Sequence, residues 1–499
     1  MAGILEQLNA IRAEAGEQRT VGLDDTTVCQ FVSKDPSLAE AVNAATEEFA
    51  SLKQEFPELM ALGEVEQVAA IEENLVNFYS DDTENPYVSM AARGPWIVTT
   101  KGAVLHDNGG YGMLGFGHVP EPIIDAMTKP QVMANVMTPS PSQYRLSQAL
   151  EREIGQTRAD GCPFTHFIAM NSGSESVSVA TRIADVNAKE LTDEGGRHAG
   201  KPIKKMSLAG GFHGRTGRPA KFSDSCVSSY AKHLATFRDE ELLTVEANDV
   251  PGLEAHFARA EEEGFFIEAL FMEPVMGEGN PGVGITPEFY ATARRLTKEH
   301  GTILLIDSIQ AGLRCTGYLS FVDYPGFRDL DPPDLETYSK ALNAGQYPLS
   351  ILALTPESAA LYRKGIYGNT MTANPRAMDI GAAVLGMVTD EVRQNIVDRG
   401  NEFVDKLRAL AEELDGPITK VEGTGLLFSC ELDPSFKAYG TDSAEEFMRM
   451  QGIGVIHGGE NSLRFTPHFQ VTSDEVDLII AGVRQAIDEG PRAGSGGGH

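Results

Sequence analysis

Five short stretches carry side chains of the kind that do chemistry, and each stands where a strand-like run of residues ends. Lys340 lies in PDLETYSKALNAGQY, beside Ala341 and Leu342, with no other cation in that run. A lysine drawn out of water loses its proton readily and becomes a nucleophile toward carbonyls. Taken alone, the stretch better fits a lysine whose stem lies along apolar surface while its ammonium reaches water. Asn171-Ser172-Gly173-Ser174 follows the apolar run HFIAM and precedes a helical pattern. Small residues at a helix start leave backbone amides and the helix dipole open to an anion such as phosphate. Neither a Walker loop nor a GxGxxG spacing is present there. Phe212-His213-Gly214-Arg215, Glu273 with Glu278, and Asp307 complete the set.

The elements that must position these residues alternate strand and helix. Strands are expected at 166–170, 206–209, 267–272, 303–306 and 335–338. Ile303-Leu304-Leu305-Ile306 is an uninterrupted apolar run of the kind buried on both faces of a parallel sheet. Thr286 and Pro287 read as the cap and first turn of a helix that stops at Gly301. In open α/β sheets ligands sit at the carboxyl ends of the strands, which is where all five stretches fall. Before them, residues 94–126 are dense in glycine (109, 110, 112, 115 and 117), with short strands at 97–98 and 104–105. The first 90 residues are helical and acidic. Asp35-Pro36 opens a helix whose Leu38, Val42, Ala45, Phe49 and Leu52 form one apolar face, which needs a partner surface on its own or another subunit. After Asn374 come helices at 375–389 and 391–413, then mixed strand and helix, including the stretches 424–431 and 461–467.

Composition narrows the function classes. A chain of 499 residues calls for more than one domain. Its formal charge of −31 disfavours nucleic acid and anionic membrane as partners. The start MAGILEQLNAIRAEAG reads as neither signal peptide nor spanning helix. Five dispersed cysteines without CxxC pairs fit a reducing cytoplasm, and no HExxH or Cys/His cluster calls for a metal.

Together NSGSES, FHGRT, EPVMGEG, LLIDSIQAG, TYSKAL and NTMTANP resemble the class III (ω-amino-acid) aminotransferases of pyridoxal-phosphate fold type I, over roughly residues 95–485. The resemblance implies an α/β large domain with a mostly parallel sheet, a smaller α+β domain and a helical N-terminal extension. The corresponding bounds are 1–94 (extension), 95–135 (first part of the small domain), 136–373 (large cofactor-binding domain), 374–489 (rest of the small domain) and a flexible tail at 490–499. It also implies roles. Lys340 would bond the cofactor aldehyde as a Schiff base and shuttle the proton, and Asp307 would pair with the pyridine nitrogen. Phe212 would stack on the ring, with His213 beside it, and Gln310 would bond its phenolic oxygen. Ser172, Gly173 and Ser174 would bind the phosphate, and Thr370 would reach a neighbouring subunit's phosphate in a homodimer or dimer of dimers. Arg215 and Arg464 resemble arginines that grip the carboxylates of a dicarboxylate, Glu278 the glutamate that neutralises the second of them, and Tyr111 a residue lining the donor pocket.

The expected reaction is amino transfer between an ornithine- or lysine-like donor and 2-oxoglutarate. An aminomutase or decarboxylase on the same scaffold, or a protein that binds cofactor without turnover, are the alternatives. Some positions depart from the family: Ser308 stands where it usually has glutamate, Cys315 where it often has arginine, and Thr372-Ala373 replace a common Gly-Gly.

Overall fold

The apolar stripe of the N-terminal segment is answered within the chain itself. In the computed structural model, which describes residues 2–109, 111–238 and 241–494, the helix Pro36–Glu55 buries Leu38, Val42, Ala45 and Phe49. Asp35 caps this helix by accepting from Ser37 N and also accepts from Trp96 Nε1 at 2.6 Å. Trp96 begins the middle strand of an antiparallel three-stranded sheet, β1 (Ser89–Arg93), β2 (Trp96–Thr99) and β3 (Val104–His106). Lys101, in the turn after β2, is buried and donates to the carbonyls of Ala15 and Leu62. Its burial lowers its pKa, against the pull of Glu64 and Glu66. These residues belong to the first of two compact units, residues 1–121, 399–422 and 428–499. Gly110 of the glycine-rich stretch and the last five residues of the expected tail lie outside the described residues.

The second unit, residues 122–398 and 423–427, is built on a seven-stranded sheet. Its strands are β4 (His166–Met170), β5 (Ile203–Leu208), β6 (Leu242–Val245), β7 (Phe266–Met272), β8 (Ile303–Asp307), β9 (Leu335–Tyr338) and β10 (Ser350–Leu354). They lie in the order β4-β10-β9-β8-β7-β5-β6. Only β10 runs against its neighbours, and every other pairing is parallel. The central strands β7, β8 and β9 are buried along their whole length, as apolar runs covered on both faces must be. The helix Gly173–Thr192 lays Val177, Ala180, Ile183 and Ala184 into a core with Phe271, Leu305 and Leu352. Each such aliphatic side chain contributes about 1.5–3 kcal/mol by leaving water. Thr286 caps the helix Pro287–His300 by accepting from Phe289 N. This is the mixed α/β architecture, with a mostly parallel sheet, that the sequence motifs imply.

Since β4, β5, β7, β8 and β9 all run one way, the turns that leave them share one edge of the sheet. That edge carries the chemistry.

The first unit closes with a four-stranded sheet, β11 (Ile418–Thr424), β12 (Leu427–Leu432), β13 (Ile456–Gly458) and β14 (Ser462–Phe465), in the order β11-β12-β14-β13. Within the stretch 424–431, β11 stops at Thr424 and β12 begins at Leu427. Gly425 causes the break, with φ of +56° and a backbone pressed so close to Cys315 that an added Cβ would lie 2.2 Å from its carbonyl oxygen. Among the described residues, no helix is long and apolar enough to cross a membrane.

Candidate active site

Asp307 is the last residue of β8 and is buried, an expensive place for a carboxylate without partners. Its Oδ2 lies 2.9 Å from His213 Nδ1, and its Oδ1 accepts from Ile309 N at 3.2 Å. His213 is held by its own backbone, whose N–H donates to Ser223 Oγ at 2.8 Å, and its ring meets Phe271 edge-on. The outer ring nitrogen, Nε2, is buried and has no hydrogen-bond partner among the described residues.

Glu273 follows β7 as Asp307 ends β8. It accepts from Phe212 N at 3.0 Å and from Gly277 N at 2.8 Å, so it ties the Phe-His-Gly turn to the Glu-Pro-Val-Met-Gly loop. Burial pushes its carboxyl up to about 7, with His213 opposing and Asp307 adding to the rise.

Lys340 comes three residues after Thr337, which pairs with Asp307 across β8 and β9. It begins a short 3-10 turn, Lys340–Asn343, with φ of +34°. Left-handed backbone at a non-glycine residue costs roughly 1–3 kcal/mol and is held only where the surroundings enforce it. Ser339 Oγ and Asn343 Nδ2 both donate to Leu349 O, at 2.8 and 2.9 Å, which fixes the turn from either side.

Ser172 is the N-cap of the helix Gly173–Thr192. Its hydroxyl accepts from Glu175 N, and Glu175 Oε2 accepts in return from the N–H groups of Ser172 and Asn171 at 3.2 and 3.0 Å. Gly173 and Ser174 open the helix, so their N–H groups have no acceptor within it. Gly214 seats the Phe-His-Gly-Arg turn on this start: its φ is +105°, and an added Cβ would lie 2.4 Å from Ser174 Oγ.

Ser172, Gly173, Ser174, Phe212, His213, Asp307, Gln310 and Lys340 line one cavity of about 160 Å³, together with Gly214, Glu273, Ile309 and Ser339. Eight residues singled out from the sequence thus meet in one place. The cavity offers a primary amine, a buried carboxylate, an aromatic face and a helix start bearing free amides. That set can hold a phosphate monoester at one end, meet a carbonyl at Lys340 and keep a ring nitrogen protonated at Asp307.

Arg215, Glu278 and Thr370 belong to the same unit but do not line this cavity. Arg215 is exposed, its guanidinium 5.4 Å from the centre of the Phe212 ring and 3.5 Å from the Tyr230 hydroxyl. Thr370 is exposed, while Asn369 before it donates to Glu175 Oε1 at 2.9 Å. Tyr111 and Arg464 lie in the other unit, with the Arg464 guanidinium 5.1 Å over the Tyr111 ring. Ser339 was not among the residues chosen from sequence. Glu273 was, by the same signal as Asp307, a carboxylate closing an apolar strand, but without a role.

The departure at Ser308 has a structural counterpart. Ser308 Oγ donates to Glu336 Oε1 at 2.6 Å, and Ser320 Oγ and Phe321 N complete the carboxylate's shell at 2.6 and 2.8 Å. Burial pushes the Glu336 carboxyl up to about 7, against the hydrogen bonds it receives.

A sequence profile of the family described as Aminotransferase class-III matches residues 78–487. An acetylornithine aminotransferase of Neisseria meningitidis serogroup B is 28% identical over 413 residues, spanning 81% of this chain and 95% of the relative. An ornithine aminotransferase 2 of Staphylococcus aureus Mu50 is 28% identical over 409 residues, with 81% and 94% covered. Among solved structures, the ornithine aminotransferase of Toxoplasma gondii ME49 matches with a TM-score of 0.72 at 21% identity, covering 87% of this chain and 97% of that one. At that identity the structural likeness concerns the fold.

Proposed function

We propose a reaction for a chain that belongs to the class-III aminotransferases, pyridoxal-phosphate-dependent transaminases: it moves an amino group between an ω-amino-acid or diamine-type donor, ornithine- or lysine-like, and 2-oxoglutarate. The observation that carries this reading is the single cavity shared by Lys340, Asp307 and the Ser172–Ser174 helix start.

Pyridoxal phosphate, when bound, supplies an aldehyde that condenses with amines and a ring that draws electrons from the adjacent carbon. The chain's own residues do the rest. Lys340 Nζ would take the proton from the donor's amine-bearing carbon and deliver it to the cofactor's former aldehyde carbon. Asp307, braced by His213, would keep a proton on the ring nitrogen, Phe212 would stack on the ring and Gln310 would bond its phenolic oxygen. Ser172, Gly173 and Ser174 would hold the phosphate through hydroxyls and helix-start amides. Arg215 grips a carboxylate of 2-oxoglutarate and Arg464 its second carboxylate, each as a charge-assisted pair, and Glu278 neutralises Arg464 when a donor without a second carboxylate enters. Tyr111 lines the donor pocket.

The acetylornithine and ornithine aminotransferases at 28% identity support an ornithine-like donor. We read the active unit as a homodimer or dimer of dimers to whose phosphate site the exposed Thr370 contributes. All five cysteines are free, which supports a cytoplasmic enzyme.

The test is an amine panel of ornithine, lysine, acetylornithine and short ω-amino acids, assayed for glutamate formed from 2-oxoglutarate, with pyruvate as the control acceptor. Glutamate from a terminal amine supports the reading. Alanine from pyruvate with no glutamate from any donor overturns the acceptor assignment.

A further inference from the structure

Arg464 stands on the interior strand β14, opposite Ser429 on β12 and Ile456 on β13. It is fully buried, a demanding position for a guanidinium, and the ring face of Tyr111 lies against it at 5.1 Å. Tyr111 is fixed in two ways. Its backbone has φ of +58°, which few non-glycine residues hold without support, and the next N–H, that of Gly112, donates to Thr466 Oγ1 at 3.1 Å, two residues beyond Arg464. The ring of Tyr79 then stacks on Tyr111 with centroids 5.5 Å apart and planes 18° from parallel. Tyr79 comes from the N-terminal segment, where the sequence shows no chemistry. The Tyr79 backbone is anchored by its N–H to Asn77 Oδ1 at 3.2 Å, and Phe78 packs against its ring at 4.3 Å. Tyr79 and Tyr111 both line a cavity of about 470 Å³.

We propose that Tyr79 is a positioning residue for Arg464: by stacking on Tyr111 it keeps that ring flat over the guanidinium and so sets the arginine's aim toward a second carboxylate. The inference rests on the reading above in which Arg464 grips a carboxylate. Without the Tyr79 ring, the Tyr111 ring would lose one of the contacts that hold it against the guanidinium. Tyr79 does not line the cavity of Lys340 and Asp307. It tunes recognition of dicarboxylate over monocarboxylate partners.

The experiment measures binding of glutarate, a dicarboxylate without a keto group, to the holoenzyme by calorimetry, alongside KM for 2-oxoglutarate and for the amine donor. Tyr79→Leu, which keeps apolar bulk without the ring, should weaken glutarate and raise KM for 2-oxoglutarate about three- to fivefold. KM for the amine donor, whose pocket Tyr111 also lines, should rise less than KM for 2-oxoglutarate. Tyr79→Phe, which keeps the stack, should restore both dicarboxylate values. If Tyr79→Leu leaves glutarate binding unchanged, or if Tyr79→Phe fails as badly as Tyr79→Leu, the stack does not position the arginine. Arg464→Ala separates the two levels. Unchanged glutarate affinity in that variant overturns the carboxylate reading itself, whereas weakened affinity there with normal Tyr79→Leu binding overturns only the inference about Tyr79.

Discussion

Two helices in this chain begin with the same capping grammar and put it to different uses. Ser172-Gly173-Ser174-Glu175 and Thr472-Ser473-Asp474-Glu475 are both capping boxes, with a hydroxyl at the cap and a glutamate three residues on. At the first, the two residues between are small and uncharged, and they border the cavity that holds Lys340. At the second, Asp474 already supplies negative charge to the helix start and pairs with Lys34 at 2.7 Å. The glutamates differ as well. Glu175 turns its second oxygen to Asn369. Glu475 Oε1 meets His106 Nε2 at 2.8 Å and His468 Nε2 at 2.9 Å, while its Oε2 accepts twice from Thr472. Ligand-type atoms of His106, His468 and Glu475 lie within 4.8 Å of one another, yet the carboxylate's four acceptor positions are already taken. Asp307 and His213 form a similar buried pair, but there Nε2 has no partner among the described residues and the carboxylate borders a cavity. Saturated polar groups staple a fold. Groups with capacity left over, facing a cavity, are the ones poised for a ligand.

The comparison can be broken most forcefully at Lys340. Lys340→Ala should lower the rate of glutamate formation by at least about a thousandfold while the thermal midpoint of the apoenzyme stays close to wild type. Full activity in that variant would remove the amine from the mechanism. At the staple the effect should reverse. Glu475→Ala should cost roughly 3–5 kcal/mol in urea unfolding, because two buried histidines and a helix cap lose their common partner. Burial works to raise the Glu475 carboxyl, but His468 and His106 hold it well below the usual carboxylate range. A depressed acid contributes stability above its unfolded pKa and loses it as pH falls through the folded value. Wild type should therefore weaken, as pH falls below about 4.5, more steeply than Glu475→Gln, as urea midpoints would show.

Ser174→Asp rewrites the first capping box in the manner of the second. A carboxylate at that helix start should weaken pyridoxal phosphate about 100-fold by charge repulsion, measured by fluorescence titration of the apoenzyme. Retained affinity would mean that the phosphate sits elsewhere. The smallest change compares the caps directly. Ser172→Ala and Thr472→Ala should each cost about 1 kcal/mol of unfolding free energy, and only the former should affect cofactor affinity.

Much of this was legible because local signals and tertiary demands agree. Ile303–Asp307 reads as a buried parallel strand and is one, and Thr286, Pro287 and Gly301 bound a helix where they stand. The cavity residues could be found since strand ends converge in a parallel sheet whatever the loop lengths. What escaped depends on distant pairings. Nothing near His106 in sequence announces Glu475, 369 residues away. The break at Gly425 is equally silent in sequence, because its backbone answers to Cys315, far off in the chain. Glu336, between Leu335 and Thr337 on β9, gives no local sign of the shell that Ser308, Ser320 and Phe321 close around it.

That last cluster limits which substitutions the site can absorb. With Glu336 buried on β9, a second carboxylate at position 308 would confine two acids within hydrogen-bond reach, and loss of Glu336 alone would leave Ser308 Oγ, Ser320 Oγ and Phe321 N without their acceptor. The effect of a substitution at either position therefore depends on the residue at the other.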